Sequence, residues 1–450
     1  MQYFFAVLLA LLCSCSYTQG YKIEIKLKGA ENQKIYLGTY FGNKKLVVDS
    51  VILDAGGQGL FSGENKLEHG LYLIILPERT YFDIIVSDDQ DFSISNNIDN
   101  ITEFFNSSGS DENLFFSDFQ KFTYNSHLKL QELTAGLSEK EALTIRDSIN
   151  NIVRNKRKEY ISKHKGSFFS ELLYAMEEPE MPENINELSE EQAFQYYKQN
   201  YFSHINFNDE RLIRSPIVFN KINHFFMHLC EWYPDSVTKY AFYLLDKSSN
   251  NKDFFYYVFV HLYNELSVTG KFSCDEAYVA MLKKFINSEQ LWWADENFKT
   301  GMKMQIKLLE PTLTGITSPS LSLFDIHNKP FNISEIKADW ILLFFWDPDC
   351  QHCSSFYQKL NSVANKPEYS SIVFITVNTA SEMDKWKAYI EKNTAPFIHT
   401  IADPKKPEQL DPWNLFATPR IFVLDKEMKI VLKDPDPDYI PLFLNKLKAK

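Results

Sequence analysis

The chain has 450 residues, 47 Lys+Arg against 59 Asp+Glu for a net charge of −12, and only six Cys. At roughly 150 residues per domain, that length points to about three domains. A composition that is 44% hydrophobic and 24% charged excludes wholesale disorder and a coiled-coil architecture. Six Cys are too few for a disulfide-stapled scaffold, and an acidic chain without a basic, aromatic-flanked tract argues against nucleic acid as a partner.

At the N-terminus, an apolar run from Tyr3 to Leu12 is followed by Cys13, Ser14, Cys15, Ser16, Tyr17 and Thr18. The run has the length of a signal-peptide core and is too short to cross a bilayer. Met1-Gln2 carries no Lys or Arg, so only the α-amino group supplies positive charge there. Two processing routes stay open. Leu12-Cys13-Ser14-Cys15 resembles a bacterial lipobox, which would lipidate Cys15, whereas Ser16 and Thr18 suit ordinary cleavage before Gln19. Residues 1–18 are therefore expected to be a signal peptide. Export would place the remaining cysteines where disulfides persist.

Residues 19–105 are expected to form a β-sandwich-like domain. Tyr21–Leu27, Lys34–Leu37, Val47–Ile52, Leu71–Ile75 and Tyr81–Val86 alternate or run apolar, and Gly42-Asn43, Gly56-Gly57 and Gly63-Glu64-Asn65 punctuate them. Short β-rich runs separated by turn residues signal antiparallel strands. After the polar stretch Asn106–Glu112 the period becomes helical, and 106–310 is predicted to be an all-α domain. Ser138, with Glu141 three residues on, is a helix start of the capping-box kind. Further helices are expected near 168–177, 189–200, 215–231, 236–247, 253–267, 275–287 and 297–309. Pro311–Pro319 reads as a linker. In 316–450, strands near 321–326, 341–346, 371–377 and 419–424 and helices at 351–365 and 382–392 give an α/β layer fold, closed by a hairpin and a last helix over 439–447. The whole is a multidomain chain.

One segment carries chemistry. Trp340–Trp346 is an apolar strand, Asp347-Pro348-Asp349 a turn, and Cys350-Gln351-His352-Cys353 opens a helix. The free N–H groups and positive dipole end of a helix stabilise an anion. A cysteine placed there is a stronger acid than a free thiol, and the thiolate is the nucleophilic form. Two intervening residues bring Cys353 within reach of Cys350, so the exposed first sulfur is the expected attacker and the second resolves a mixed disulfide. Later, Thr418-Pro419 begins a strand, Arg420–Asp425, where a proline costs no ladder hydrogen bond.

The strand, the Trp346-x-x-x-Cys350-x-x-Cys353 spacing and the Thr418-Pro419 strand together resemble the thioredoxin superfamily, and more narrowly its TlpA-like envelope branch. The resemblance covers about residues 316–450. It implies that Pro419 is cis beside the Cys pair, that Thr418 and Pro419 pair with extended substrate backbone, that Trp346 packs beside the sulfurs, and that the dithiol is the redox group, with no cofactor. More weakly, the first two-thirds resemble the N-terminal regions of multidomain proteins of this branch, for which no role carries over. One position departs from the family: Phe344 stands six residues before Cys350, where thioredoxin has a buried carboxylate that accepts a proton. Asp347 and Asp349 should oppose thiolate formation, and His352 should favour it when protonated.

Chemistry narrows the other readings of these residues. A structural zinc site wants a second Cys/His pair, and no second Cys-x-x-Cys exists. Haem attachment wants His where Ser354 stands. A peroxidase pattern would need Pro at 343 and Thr at 347, where Leu343 and Asp347 stand. His224-x-x-x-His228 lacks the Glu of a zinc protease motif. Cys230 and Cys274 are better read as buried thiols than as a disulfide. Asp434-Pro435-Asp436-Pro437-Asp438 reads as a solvated acidic turn rather than a calcium loop.

The function expected is exported thiol–disulfide oxidoreduction. Its catalytic residues would be Cys350 and Cys353, with redox tuning by His352 and Trp346 and substrate binding by Thr418 and Pro419. Its partners would be cysteine-containing envelope proteins and a redox partner protein, with membrane contact only through a lipid anchor on Cys15. The rival is an envelope binding or assembly protein whose main work lies in residues 21–310 and whose thioredoxin-like part is auxiliary.

Overall fold

The computed structural model describes residues 20–445 except 79, 99–104, 232, 268, 270, 272–273, 381, 416, 436–437, 439 and 443–444. The signal segment and Cys15 lie outside the described residues, as does most of the last helix, of which 440–442 and 445 are helical. Two compact units emerge. One runs to Glu231 and takes in Leu245–Val258, and the other comprises Trp232–Leu244 and the chain from Phe259. The helical stretch contributes to both.

The first unit begins with eight strands: β1 (Tyr21–Lys28), β2 (Lys34–Phe41), β3 (Lys44–Ile52), β4 (Gln58–Gly63), β5 (Gly70–Ile75), β6 (Tyr81–Val86), β7 (Asp91–Asn97) and β8 (Asn106–Ser108). They form two four-stranded sheets, β4-β1-β7-β8 and β3-β2-β5-β6. Alternation explains the layering. On β1, Ile23, Ile25 and Leu27 are buried while Glu24, Lys26 and Lys28 are exposed. Their apolar partners include Leu37, Phe61, Ile74, Ile84 and Phe92 from both sheets. The β3–β4 turn needs glycine at 57: its φ is +71°, and a Cβ there would lie 2.3 Å from the Leu27 carbonyl oxygen.

Helices follow: α1 (Asp111–Thr134), α2 (Glu139–Lys163), α3 (Phe168–Ala175), α4 (Glu190–Asn200) and α5 (Ile217–His224), the last continuing into a π-helical turn, Phe225–Leu229. Ser138 N–H donates to the Glu141 carboxylate at 3.1 Å, closing the expected capping box of α2. Strand β6 ends its sheet, and an open strand edge leaves backbone groups unpaired. Asn113 of α1 covers it: Ile85 N–H donates to Asn113 Oδ1 at 2.8 Å, and Asn113 Nδ2 donates to Ile85 O at 2.7 Å. Cys230 ends the π-turn and is buried. The rings of His224 and His228 lie 4.8 Å apart.

α6 (Pro234–Ser248) and α7 (Lys252–Glu265) each contribute to both units. Within the second unit, α8 (Asp275–Phe285) starts at Cys274, a free thiol pushed up to about 12 chiefly by burial. After α9 (Glu296–Leu309) comes a seven-stranded sheet, β10-β9-β13-β12-β11-β14-β15. Its members are β9 (Leu323–Asp325), β10 (Pro330–Phe331), β11 (Trp340–Trp346), β12 (Ile372–Asn378), β13 (Ile398–Ala402), β14 (Arg420–Asp425) and β15 (Ile430–Lys433). β11 runs parallel to β12 and antiparallel to β14. It is apolar throughout because both faces are covered, as central parallel strands require. Leu342, Phe344 and Trp346 pack with α10 (Gln351–Ala364) and α11 (Met383–Lys392). Ile341, Leu343 and Phe345 pack with Trp413 and Phe422 on the other side.

Two elements differ from expectation. β13 was not foreseen, since Ile398-His399-Thr400-Ile401-Ala402 is short, carries His and Thr, and lies between Pro396 and Pro404. Its polar side chains are satisfied within the sheet, Thr400 Oγ1 donating to Thr376 O at 2.9 Å. The stretch 311–319 is not a free linker. Gly315 N–H donates to Ile430 O at 2.7 Å and Ser318 N–H to Met428 O at 2.8 Å, so it extends the β14–β15 hairpin.

Candidate active site

β11 ends at Trp346 and the chain turns at once. Asp349 N–H donates to Asp347 Oδ1 at 2.8 Å and Cys350 N–H to Asp347 O at 3.1 Å, a side-chain-closed turn of the kind Asp favours. Cys350 is the N-cap of α10, in an extended conformation (φ −82°, ψ 112°). Its Sγ occupies the place of a capping oxygen and accepts from Cys353 N–H at 3.4 Å. The sulfur thus sits where the orphan N–H groups of a 14-residue helix converge.

The partner element arrives through the sheet. β14 is antiparallel to β11 with Arg420 opposite Phe345, so the residues just before β14 lie beside the end of β11, where the Cys turn starts. Thr418–Pro419 is a cis peptide, and the Thr418 carbonyl lies 3.6 Å from Cys350 Sγ, accepting the thiol proton. Cys350, Cys353 and Thr418-Pro419 are therefore brought together, although 66 positions separate the proline from Cys353 in the sequence.

Electrostatics divides the two sulfurs. Burial pushes the Cys350 thiol up. Hydrogen bonding from the Cys353 thiol, the Cys353 N–H, the Thr418 side chain and the His352 N–H outweighs it, so the net direction is down. Cys353 is fully buried, and burial followed by its hydrogen bond to Cys350 pushes it up to about 12. The structure holds both as free thiols.

The remaining expected residues fall as follows. His352 is exposed on the first turn of α10. Trp346 is a core residue, its ring centroid 5.3 Å from that of Tyr357 and 5.0 Å from that of Tyr389, in the same apolar cluster as Cys353. Asp349 is held by Lys385 of α11 at 2.8 Å, which offsets part of its adverse charge. No local signal in the sequence joins these two, since they lie on separate elements. Phe344 is buried, and its neighbours across the sheet are Thr376 and then His399. Thr376 Oγ1 and His399 Nδ1 bond at 2.9 Å, and burial pulls His399 down to about 4. A neutral polar pair thus occupies the row that Phe344 begins. Among the described residues no group of three or more metal-binding side chains forms.

Residues 338–430 match a family model described as thioredoxin-like. The C-terminal region is a thioredoxin-like domain. Ahead of it, residues 21–131 and 144–305 match two models of unknown function, DUF4369 and DUF5106. A thioredoxin-like protein from Bacteroides caccae is 18% identical, with 60% of this chain and 98% of that one covered at a TM-score of 0.50, which shows a shared fold reaching beyond the thioredoxin-like domain. The thioredoxin domain of a thiol-disulfide oxidoreductase from Bacteroides vulgatus is 21% identical over 30% of this chain and 96% of that one, with a TM-score of 0.28. A thiol:disulfide interchange protein from a Bacteroides species is 20% identical over 31% of this chain and 93% of that one, with a TM-score of 0.29. No protein of curated function matches the chain.

Proposed function

We propose that the thioredoxin-like domain is a thiol–disulfide oxidoreductase that exchanges electrons with cysteine-containing proteins of the cell envelope. The observation that carries this reading is the placement of Cys350 Sγ at the N-cap of α10, 3.6 Å from the carbonyl of Thr418. The Cys350 thiolate attacks one sulfur of a client disulfide, forming a mixed disulfide and releasing the other client sulfur as a thiolate that takes up a proton. Cys353 then gives up its proton and attacks Cys350 Sγ, which frees the second client thiol and leaves a Cys350–Cys353 disulfide. Two electrons pass to the client. Run backwards, the same steps oxidise a client dithiol. Thr418 and Pro419 would align extended client backbone beside the sulfur. With Phe344 in place of a carboxylate, solvent or the departing client thiolate receives the Cys353 proton. The chain would act after export, freed of residues 1–18 or held by a lipid on Cys15.

Trapping tests the reading. The Cys353→Ser chain expressed in its own cell should accumulate mixed disulfides that vanish on reduction and need Cys350. A trap that stays empty while wild type cycles no disulfide with added thiols would contradict it.

A further inference from the structure

The first unit contains an open cavity of about 810 Å³, bounded by β6, α1, α3 and the residues that begin α5. Compact interiors leave few voids larger than one water, whereas ligand sites measure roughly 300–1,000 Å³ and combine apolar walls with a few placed polar groups. This cavity has that form. Its floor is aromatic: Phe105, Phe119 and Phe169 are all buried, and the Phe119 and Phe169 rings meet edge to face at 5.8 Å. Polar side chains, Gln120, His127 and Asn220, also line it.

Asp83 supplies a charge within this apolar setting. It lines the cavity from β6, and its Oδ1 accepts from the Tyr40 hydroxyl at 3.0 Å. Lys45, the cation that favours its ionised form, has its ammonium over the Tyr81 ring, 3.6 Å from the centroid, rather than on the carboxylate. Burial pushes the Asp83 carboxyl up to about 6, against the Tyr40 hydroxyl and Lys45, which favour its ionised form. A half-buried carboxylate facing an apolar cavity gains free energy when a cationic partner meets it.

We infer that this cavity binds a small apolar ammonium compound, its aromatic or aliphatic body among Phe105, Phe119 and Phe169 and its cationic nitrogen on Asp83. The charge selects the class. An anion would face the carboxylate, and a neutral hydrocarbon would leave it uncompensated. This gives the N-terminal region a recognition function of its own, independent of the cysteines.

Three ring-matched probes separate the contributions: tryptamine (cationic), indole (neutral) and indole-3-propionate (anionic), each titrated calorimetrically into the reduced full chain. A charge-assisted hydrogen bond is worth about 1.5–3 kcal/mol, so tryptamine should bind at least about tenfold more tightly than indole, and indole-3-propionate more weakly than indole. Asp83→Asn should abolish the advantage of the amine while leaving indole binding and the melting temperature near wild type. Gln120→Trp, which adds bulk to the lining without touching the charge, should weaken all three. Equal affinities, no saturable tryptamine binding at millimolar concentration, or a preference for the amine that survives Asp83→Asn would overturn the assignment.

Discussion

Cys350 and Cys353 differ although three positions separate them, because one faces the helix end and the other faces the core. Cys350 gains from N–H groups and from the Thr418 side chain what it loses by partial burial, whereas Cys353 receives mostly desolvation. The Thr418 contribution can be tested alone. Thr418→Val keeps shape and removes the hydroxyl, so the Cys350 thiol should become less acidic and its alkylation near neutral pH should slow by about tenfold, the loss expected for one hydrogen bond to a charged group. Alkylation rates of the two proteins, measured across pH, check this; an unchanged profile would mean the side chain does not help hold the thiolate. Cys350 and Cys353 were legible in their spacing and turn chemistry, and the Thr418-Pro419 pair only through the resemblance to the thioredoxin superfamily. Lys385 beside Asp349 was not, and neither was the Thr376–His399 pair next to Phe344, because these neighbours meet only through tertiary packing and sheet register.

Among elements, long periodic segments declared themselves and short ones did not. The capping box of α2 and the apolar β11 are strong local signals, while β13 is five residues with a polar centre flanked by prolines. The region between α9 and β9 illustrates the same limit. Its Pro and Thr content reads as a connector, yet it joins the hairpin through backbone bonds. There, Lys433 of β15 pairs with Asp275 of α8 and donates to Thr312 Oγ1 at 3.2 Å. Both charged side chains are nearly buried, at 10% and 12% exposure. Removing one member of such a pair strands the other charge, at a cost of about 3–5 kcal/mol. Lys433→Met should therefore lower the stability of the second unit by about 3 kcal/mol in denaturant unfolding, and adding Asp275→Leu should recover much of it. A single variant within about 1 kcal/mol of wild type would show that water reaches the pair and screens it.

For the whole molecule, composition and period separated a β region, a helical region and an α/β region, and the structure has that order. The division into compact units was not legible, because the helices carry similar apolar stripes whichever neighbours bury them. The unit-1 cavity escaped notice for the same reason: Phe105, Phe119 and Phe169 look like ordinary core residues until three elements are seen to leave a space between them. Export is a separate proposal resting on residues 1–18. Mass spectrometry of the chain recovered from its own cell envelope should find it starting at Gln19, or at Cys15 bearing a lipid. A cytoplasmic chain retaining Met1 would contradict export and with it the proposed clients.

The Cys350 sulfur, at the N-terminal end of α10, is more acidic than a free thiol. Alkylation of the reduced, folded chain with iodoacetamide, followed by mass spectrometry of the two cysteines across pH, tests it most directly. Cys350 should react first and half-titrate below the roughly 8.5 of a free thiol, while Cys353 stays unmodified until the protein is unfolded. A Cys350 that titrates like an ordinary thiol, or a Cys353 that reacts ahead of it, would contradict the account.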